Sequence, residues 1–326
     1  MDSQTGPHYV NEKYAADCLP RFDAYCRVMA ELGCNAVTLG DLIHLVTFDR
    51  LVSGDPHAVY PEDSPYRARH LWRRQYFKQL IAIAKKHGLD FYLYTDEFMY
   101  TPPLGDWIGE ISPANPRLWD AYRAKYDEVL TELPELAGVI VRIGELYPTP
   151  GYVAKGIADS RGRDPENYRK LIQNTWEVVC RKHKKKYIHR TWSLGLDTIT
   201  GQAYLYDRVW RDMPTENLIV SVKHTQTDFW YYNPINPSLG VGKHRQIMEV
   251  QTRREYHAMG VFPDCPWQDF AAAFTQATKM PNVAGYWLWP NERGGPNGVD
   301  DEPQTHYSYL KGFAEWNEAN TSLAAA

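Results

Sequence analysis

The sequence lacks the cysteine pattern of a disulfide-stabilised or zinc-binding protein. Its five cysteines are scattered through 326 residues, and no C-x-x-C pair occurs among them. Such a set indicates neither a disulfide framework nor a metal site. We therefore expect reduced thiols and a cytoplasmic protein.

Long apolar segments are also missing. No apolar run approaches the roughly 20 residues that a membrane helix needs, and the first 20 residues are polar, with no apolar stretch typical of a signal peptide. We expect no membrane partner. The final LAAA (323–326) resembles a cloning remnant, which leaves residues 1–322 as the expected single domain.

The chain has no excess of positive charge and no dinucleotide fingerprint. Its net charge is −4, so no overall field attracts a polyanion, and we expect no nucleic-acid partner. An acidic ligand would have to be held by a few local Arg or Lys residues. No glycine-rich G-x-G-x-x-G turn follows the first strand, which disfavours a nucleotide-binding doubly wound sheet.

Aromatic residues are plentiful. They make up 13 % of the chain, with 11 Trp and 23 Tyr, while the hydrophobic fraction of 44 % is ordinary for a globular protein. Flat rings stack on sugars, but they also fill cores, and core packing is the default interpretation for each of them.

Short apolar runs alternate with amphipathic stretches along the whole chain. Apolar residues recur at three- and four-residue spacing in 116–133 and 165–183, and a further helix is expected at about 19–33. The predicted strands are 35–40, 90–95, 138–143, 187–192, 218–223, 246–251 and 284–289. This alternation predicts an α/β fold with a parallel sheet, specifically a (β/α)8 TIM barrel whose first strand is cryptic or atypical.

Polar and charged residues follow the ends of these strands. The carboxyl ends of barrel strands meet at one mouth, where such residues would share a pocket. The set at or just past the strand ends is Asp96, Glu97, Arg142, Glu145, Arg190, Trp192, Lys223, Asp228, Arg253, Arg254, Glu255, Trp289, Asn291 and Glu292. Paired carboxylates could cleave a glycosidic bond, bind a divalent metal, or merely pair with neighbouring cations. Gathering Arg142, Arg190 and Lys223 would be costly without an anion between them.

One long segment resembles glycoside hydrolase family 67, the α-glucuronidases. It is VSVKHTQTDFWYYNPINPSLGVGKHRQIMEVQTRREYHA (220–258), with a lysine five residues before Asp-Phe, a proline-rich loop, and an E-x-Q-x-x-x-E-Y motif that starts at Glu249. The segments 87–98, 133–151 and 189–193 follow in family order. The resemblance covers roughly residues 20–290.

The resemblance implies an inverting enzyme that releases a terminal uronic acid, most simply α-linked glucuronate, from an oligosaccharide. It makes Glu145 the general acid, and Asp228 and Glu255 the pair that activates water. Arg190 and Lys223 would hold the uronate carboxylate. Arg142 lies near a family lysine with the same role, although its offset from the glutamate is one residue shorter. The family needs no cofactor and no metal.

The sequence also departs from that family. The N-terminal β domain, the C-terminal helical domain and the Trp-Asp-Asn motif of the first strand have no counterpart here, which leaves the substrate open and a homodimer neither required nor excluded. Glu249 is a rival to Glu255 as base partner. Alternation places Glu249 deeper in the barrel, on the same face as Gln251, where an internal salt bridge is the alternative role. Trp192 and Trp289 are candidates for stacking on sugar.

Two other functions fit a polar barrel mouth. A metal-dependent sugar isomerase or epimerase would need histidine and carboxylate ligands together, and the strand ends supply few histidines. A non-catalytic sugar-binding barrel would keep the aromatic and cationic residues without using Glu145 as an acid.

Overall fold

The computed structural model describes residues 12–40, 42–52, 55–96, 101–143, 165–191, 198–227, 229, 234–251 and 267–289. Helices and strands alternate through them. The helices are α1 (Glu12–Glu31), α2 (Pro65–Lys86), α3 (Pro102–Ile108), α4 (Pro116–Glu132), α5 (Pro165–Trp176), α6 (Ala203–Trp210) and α7 (Trp267–Ala277). The strands are β1 (Ala36–Leu39), β2 (Asp90–Asp96), β3 (Gly138–Arg142), β4 (Lys186–Arg190), β5 (Leu218–Lys223), β6 (Arg245–Gln251) and β7 (Val283–Trp289).

All seven predicted strands are confirmed, with ends that differ by at most two residues. They form one sheet in chain order, β1 to β7, and every neighbouring pair is parallel. This curled parallel sheet with helices between its strands is the predicted (β/α) barrel of the TIM type. The described residues begin with α1, so the predicted atypical first strand lies outside them, and β1 and β7 are the edges of the described sheet.

Two helix predictions need correction. The first helix begins at Glu12 rather than near residue 19, and it passes through Pro20. Proline is favoured in a first helical turn, which misplaced the start; the helix instead continues through it with one backbone donor fewer. The helix predicted over 165–183 ends as an α-helix at Trp176 and continues as a π-helical turn, Glu177–Lys182.

The sheet is buried on both faces, which explains why its strands appear as continuous apolar runs. On the face towards the helices, side chains such as Val139, Val141 and Val220 join the main hydrophobic core. On the inner face, Ile140 and Ile188 form a separate small cluster together with Tyr92. The inner face is thus apolar in the amino-terminal half of the strands.

Three helices begin at a proline that follows a small polar residue. Pro65, Pro102 and Pro116 occupy the first turns of α2, α3 and α4. Proline fits there because the amides of the first turn have no partner inside the helix. Before α4, the side chain of Asn115 also accepts a hydrogen bond from the Arg117 amide at 3.0 Å, which caps the helix.

The loop that follows β1 is held by a carboxylate from α4. Glu128 Oε1 accepts the Thr47 amide at 2.6 Å and the Thr47 hydroxyl at 2.7 Å, and Glu128 Oε2 accepts the Asp49 amide at 3.0 Å. Arg74 of α2 pairs with the same carboxylate, which is buried. This contact fixes the backbone of the loop at the carboxyl end of β1, and therefore one side of the barrel mouth.

A histidine on β4 is enclosed on the helix side of the sheet. His189 is fully buried, with its Nε2 atom 2.8 Å from the Tyr168 hydroxyl and its Nδ1 atom 2.6 Å from the Tyr187 hydroxyl. Burial lowers the pKa of His189 from 6.5 to about 3. The imidazole is therefore neutral in the folded protein at neutral pH.

The described helices and cysteines show two further properties. None of those helices has the length and apolar character needed to cross a membrane. The cysteines in the described residues, Cys18, Cys26, Cys34 and Cys180, are free thiols.

We predict that His189 makes the protein less stable in mild acid. Because the folded pKa is depressed, the unfolded chain binds the proton more readily between pH 6.5 and about 3, and acidification favours unfolding there. This histidine should remove about 1.4 kcal/mol of unfolding free energy per pH unit once the pH is below 6. Urea denaturation at pH 6 and at pH 5 gives the change of the unfolding free energy per pH unit. In His189→Gln that change should be smaller by this amount than in wild type. An equal change in both proteins would refute the assignment.

We also predict that Gly138→Ala disrupts the start of β3. A Cβ atom at Gly138 would lie 1.9 Å from the backbone carbonyl oxygen of Lys186 on β4. The two strands must separate to admit it, at a cost of roughly 3 kcal/mol. Gly285→Ala on β7 is the matched control, because no atom lies within 4 Å of its Cβ position. Thermal unfolding should show a large loss for the first variant only; equal effects would contradict the close approach.

Candidate active site

The charged residues of the inner face lie at the carboxyl ends of adjacent strands. Parallel register pairs Arg142 of β3 with Arg190 of β4, Arg190 with Ser221 of β5, and Lys223 with Glu249 of β6. Paired residues in a parallel sheet point to the same face. The five side chains therefore share the interior of the barrel, beyond the isoleucine layer and towards the mouth.

An ion pair crosses this interior. Arg190 donates from Nε to Glu249 Oε2 at 2.9 Å and from Nη2 to Glu249 Oε1 at 2.5 Å. Both side chains are buried, with exposed fractions of 4 % and 1 %. The pair joins β4 to β6 over the intervening β5, where the Ser221 hydroxyl donates to Glu249 Oε2 at 3.2 Å. Two-pronged pairing of this kind fixes the orientation of both groups.

Aromatic rings enclose the Arg190 guanidinium. Its central carbon lies 5.0 Å from the ring centre of Trp287 on β7 and 5.4 Å from that of Tyr94 on β2. A cation over such a ring is attracted by the negative ring face. The indole nitrogen of Trp287 also donates to the Ser221 hydroxyl at 2.8 Å. Trp287 consequently faces the barrel interior, and the next residue, Leu288, packs against the helix-side core.

The charges around Glu249 hold it in the ionised form. Burial raises the pKa of this carboxyl, but Arg190, Lys223 and Arg142 together outweigh burial, and the net pKa is lowered. Lys223 is itself 1 % exposed, with its ammonium 4.8 Å from the ring centre of Phe229. Three cations from three neighbouring strands thus act on one carboxylate within the described residues.

The structure brings together four of the predicted site residues: Arg142, Arg190, Lys223 and Glu249. The predicted general acid, Glu145, lies outside the described residues. So do Asp228 and Glu255, which were predicted to activate water, and the stacking candidate Trp192. Trp289 is the last residue of β7, opposite Gln251, and only its strand position is described. The choice between Glu249 and Glu255 as base partner therefore stays a prediction, although Glu249 does form the internal ion pair that its depth indicates.

Sequence analysis missed two residues that shape this layer, Tyr94 and Ser221. A usable signal was present for both. Each lies two positions before a polar strand end, Asp96 and Lys223 respectively. Alternation therefore places each of them on the face of that strand end.

A cavity of about 1030 Å³ lies beside this layer but does not include its charges. It is lined by inner-face isoleucines, by edge strands β1 and β7, and by residues of α1 that include Tyr25 and Met29. None of the four clustered site residues lines it. The cavity does reach Tyr94 and Trp287, but because catalytic groups of such barrels lie at the carboxyl ends of the strands, we do not assign it to the candidate site. The described residues contain no group of three or more His, Cys, Asp or Glu that could hold a metal ion.

Three solved structures that are similar to this chain in fold are glycoside hydrolases of different families. A family 5 subfamily 18 enzyme from Streptomyces cattleya, in complex with GlcNAc, has a TM-score of 0.54 at 17 % identity, over 94 % of this chain and 74 % of that one. A family 20 catalytic module of the pneumococcal exo-β-D-N-acetylglucosaminidase StrH has a TM-score of 0.54 at 11 % identity, over 94 % and 80 %. A family 138 enzyme that targets the pectin rhamnogalacturonan II has a TM-score of 0.51 at 16 % identity.

These similarities establish the fold. This chain aligns over 94 % of its length with the family 138 enzyme but spans only 34 % of that chain. The sequence matches no protein-family model and no curated protein. The comparisons thus confirm the (β/α) barrel that the resemblance to family 67 implied, and family 67 itself is not indicated.

We predict that the Arg190–Glu249 pair is far more sensitive to losing one partner than to losing both. Arg190→Met leaves a buried carboxylate without its main partner, which should cost about 3–5 kcal/mol of unfolding free energy. Arg190→Met combined with Glu249→Leu should recover part of that loss, since the buried carboxylate is then gone, although the buried Lys223 keeps its charge beside the site. Denaturant unfolding of both single variants and the double variant measures the coupling. Additive losses would show that the pair does not act as a unit.

Proposed function

We propose that the protein is a glycoside hydrolase that releases a terminal uronic acid from an oligosaccharide, with inversion at the anomeric carbon. The observation that carries the proposal is the gathering of Arg142, Arg190 and Lys223 around Glu249 at the carboxyl ends of the strands. In barrel enzymes the catalytic groups lie at this end of the strands, and the catalytic groups of most glycoside hydrolases are carboxylates.

The charge of this layer favours an anionic sugar over a neutral one. Arg190 is oriented by Glu249, so we assign it to building the site. Arg142 and Lys223 are the cations proposed to meet the uronate carboxylate. Desolvated cations bind such an anion more strongly than cations in water. A neutral sugar of the same shape would gain nothing from them.

The structural neighbours support the broader class and are compatible with an acidic sugar. The neighbours reported above act on glycans of different kinds, and one of them targets a rhamnogalacturonan. A galacturonan is by its chemical name a polymer of a uronic acid. The proposal for this chain extends that substrate class to a terminal glucuronate or a related uronate.

The chemical steps follow from the proposed roles of three carboxyl groups. Glu145 protonates the oxygen of the leaving group, while Asp228 and Glu255 activate a water on the opposite face of the sugar ring. The glycosidic C–O bond breaks as the water oxygen bonds to the anomeric carbon, and the two carboxylates, Asp228 and Glu255, take the proton of the water. Inverting pairs leave about 6.5–9.5 Å between carboxyl groups to admit that water. Trp192 and Trp289 are proposed to stack on the sugar, and no cofactor is required.

The test is a release assay with matched acidic and neutral substrates. Wild type is incubated with oligosaccharides that end in α-linked glucuronate and with the same oligosaccharides ending in glucose, with and without chelator. We expect glucuronate release that chelator does not affect, with the β anomer formed first by NMR. Glu145→Ala should slow release by about 10²–10⁴-fold. Lys223→Met should lower kcat/KM for the glucuronate substrate by about 10²-fold and change any rate on the neutral one little.

The control for Lys223 is Lys185→Met, since Lys185 lies just before β4, at the other end of the barrel, and donates to the Pro134 carbonyl oxygen. It should leave both rates unchanged. Equal losses on acidic and neutral substrates in Lys223→Met would contradict carboxylate binding by this lysine. No release from any uronate by wild type would refute the proposed activity, and loss of release in chelator would favour a metal-dependent reaction.

A further inference from the structure

The carboxyl end of β6 carries a polar side chain that the proposed chemistry does not use. Gln251 is the last residue of the strand, two positions after Glu249, and so shares its face. Glu249 points into the barrel, where it pairs with Arg190. The side chain of Gln251 therefore points into the same interior, one step nearer the mouth.

The amide of Gln251 is buried, and no described residue forms a hydrogen bond with it. The residue is 0 % exposed, and neither its Oε1 nor its Nε2 atom has a hydrogen-bond partner in the part of the chain that the structure describes. Most buried side-chain amides in proteins are paired, so one with neither atom paired calls for a specific explanation. Folding removes the hydrogen bonds that this amide makes to water, and no described residue replaces them.

Another glutamine on the same strand shows the ordinary arrangement. Gln246 is also 0 % exposed, but its Nε2 atom donates to the Tyr206 hydroxyl at 2.8 Å and to the Ser238 carbonyl oxygen at 3.0 Å. Its Oε1 atom accepts the Gly240 amide at 2.8 Å. The strand can therefore satisfy a buried amide, and the difference lies in where Gln251 is placed.

We propose that Gln251 is a specificity-determining residue whose amide binds two neighbouring hydroxyl groups of the sugar. This inference rests on the proposed glycoside hydrolase function and adds a contact to its site. The amide offers one acceptor and two donor hydrogens, and a sugar hydroxyl both donates and accepts. Bound sugar supplies the partners that the free protein withholds.

The chemistry of the amide identifies which part of the sugar it contacts. A carboxylate only accepts hydrogen bonds and is matched by the cations Arg142 of β3 and Lys223 of β5. An uncharged amide with both a donor and an acceptor is matched by hydroxyl groups. Gln251 therefore binds hydroxyl groups that glucuronate and glucose share, and Lys223 binds the carboxylate that distinguishes glucuronate from glucose.

An unpaired amide predicts opposite effects of one substitution on stability and on binding. Gln251→Met replaces it with an apolar side chain of similar length, which relieves the unmet hydrogen bonds. The melting temperature should stay the same or rise. Gln246→Met is the matched control: it breaks four hydrogen bonds and should lower the melting temperature, while the folded fraction keeps its kcat/KM.

The binding side of the test uses sugars that lack single hydroxyl groups. Wild type and Gln251→Met are compared for kcat/KM on the glucuronate oligosaccharide and for affinity towards D-glucuronate, its 2-, 3- and 4-deoxy analogues, and D-glucose. We expect Gln251→Met to weaken D-glucuronate and D-glucose alike, by about 10–100-fold. In wild type, removal of the contacted hydroxyls should weaken binding by a similar factor, and in the variant the same removal should change little.

The failures of the two proposals are distinguishable. If wild type binds and cleaves only neutral sugars, uronate release is refuted, and Gln251→Met can still be judged on those sugars. The inference about Gln251 is overturned if the variant melts as low as Gln246→Met, because the amide would then be paired within the protein. It is also overturned if discrimination among the deoxy sugars is unchanged in the variant, or if wild type binds neither D-glucuronate nor D-glucose.

Discussion

The ion pair between Arg190 and Glu249 sets the arrangement of the barrel interior. Two opposite charges that are almost fully excluded from water must meet in good geometry, because neither is stable there alone. The pair spans β4 and β6, so the strand between them must present a small side chain, and Ser221 meets that need while adding a hydrogen bond. Trp287 and Tyr94 cover the guanidinium from β7 and β2. One interaction thereby constrains five strands.

The interior is layered as a result. Towards the amino-terminal ends of the strands it is apolar, with Ile140 and Ile188 packed on Tyr92. The ion pair and its rings form the next layer. Nearer the mouth lie Lys223, whose ammonium faces the ring of Phe229, and Gln251. The apolar cluster thus lies on one side of the ion pair and the groups proposed to meet a ligand on the other, a division expected where binding and folding place opposite demands on side chains.

Sequence analysis located the strands well because both faces of a parallel sheet are apolar, and continuous apolar runs are the strongest local signal. Alternation also placed Glu249 deep within the barrel. It could not select Arg190 as its partner, since the two residues are 59 positions apart and meet only through the register of β5. Nor could it decide whether Trp287 or Leu288 faces inward, because both suit either face. The start of α1 was misplaced for a local reason, the proline at position 20.

The hold of Glu128 on the loop after β1 bears on how such barrels can be recombined. A (β/α) barrel is often treated as a series of exchangeable units, each made of a strand, a loop and a helix. Here the carboxylate that orders the loop of one unit belongs to α4, the last helix before β3. A crossover made between those units would separate Thr47 and Asp49 from Glu128 even though every unit kept its own sequence. The natural exchangeable block at this side of the mouth is therefore the pair of units from β1 to α4.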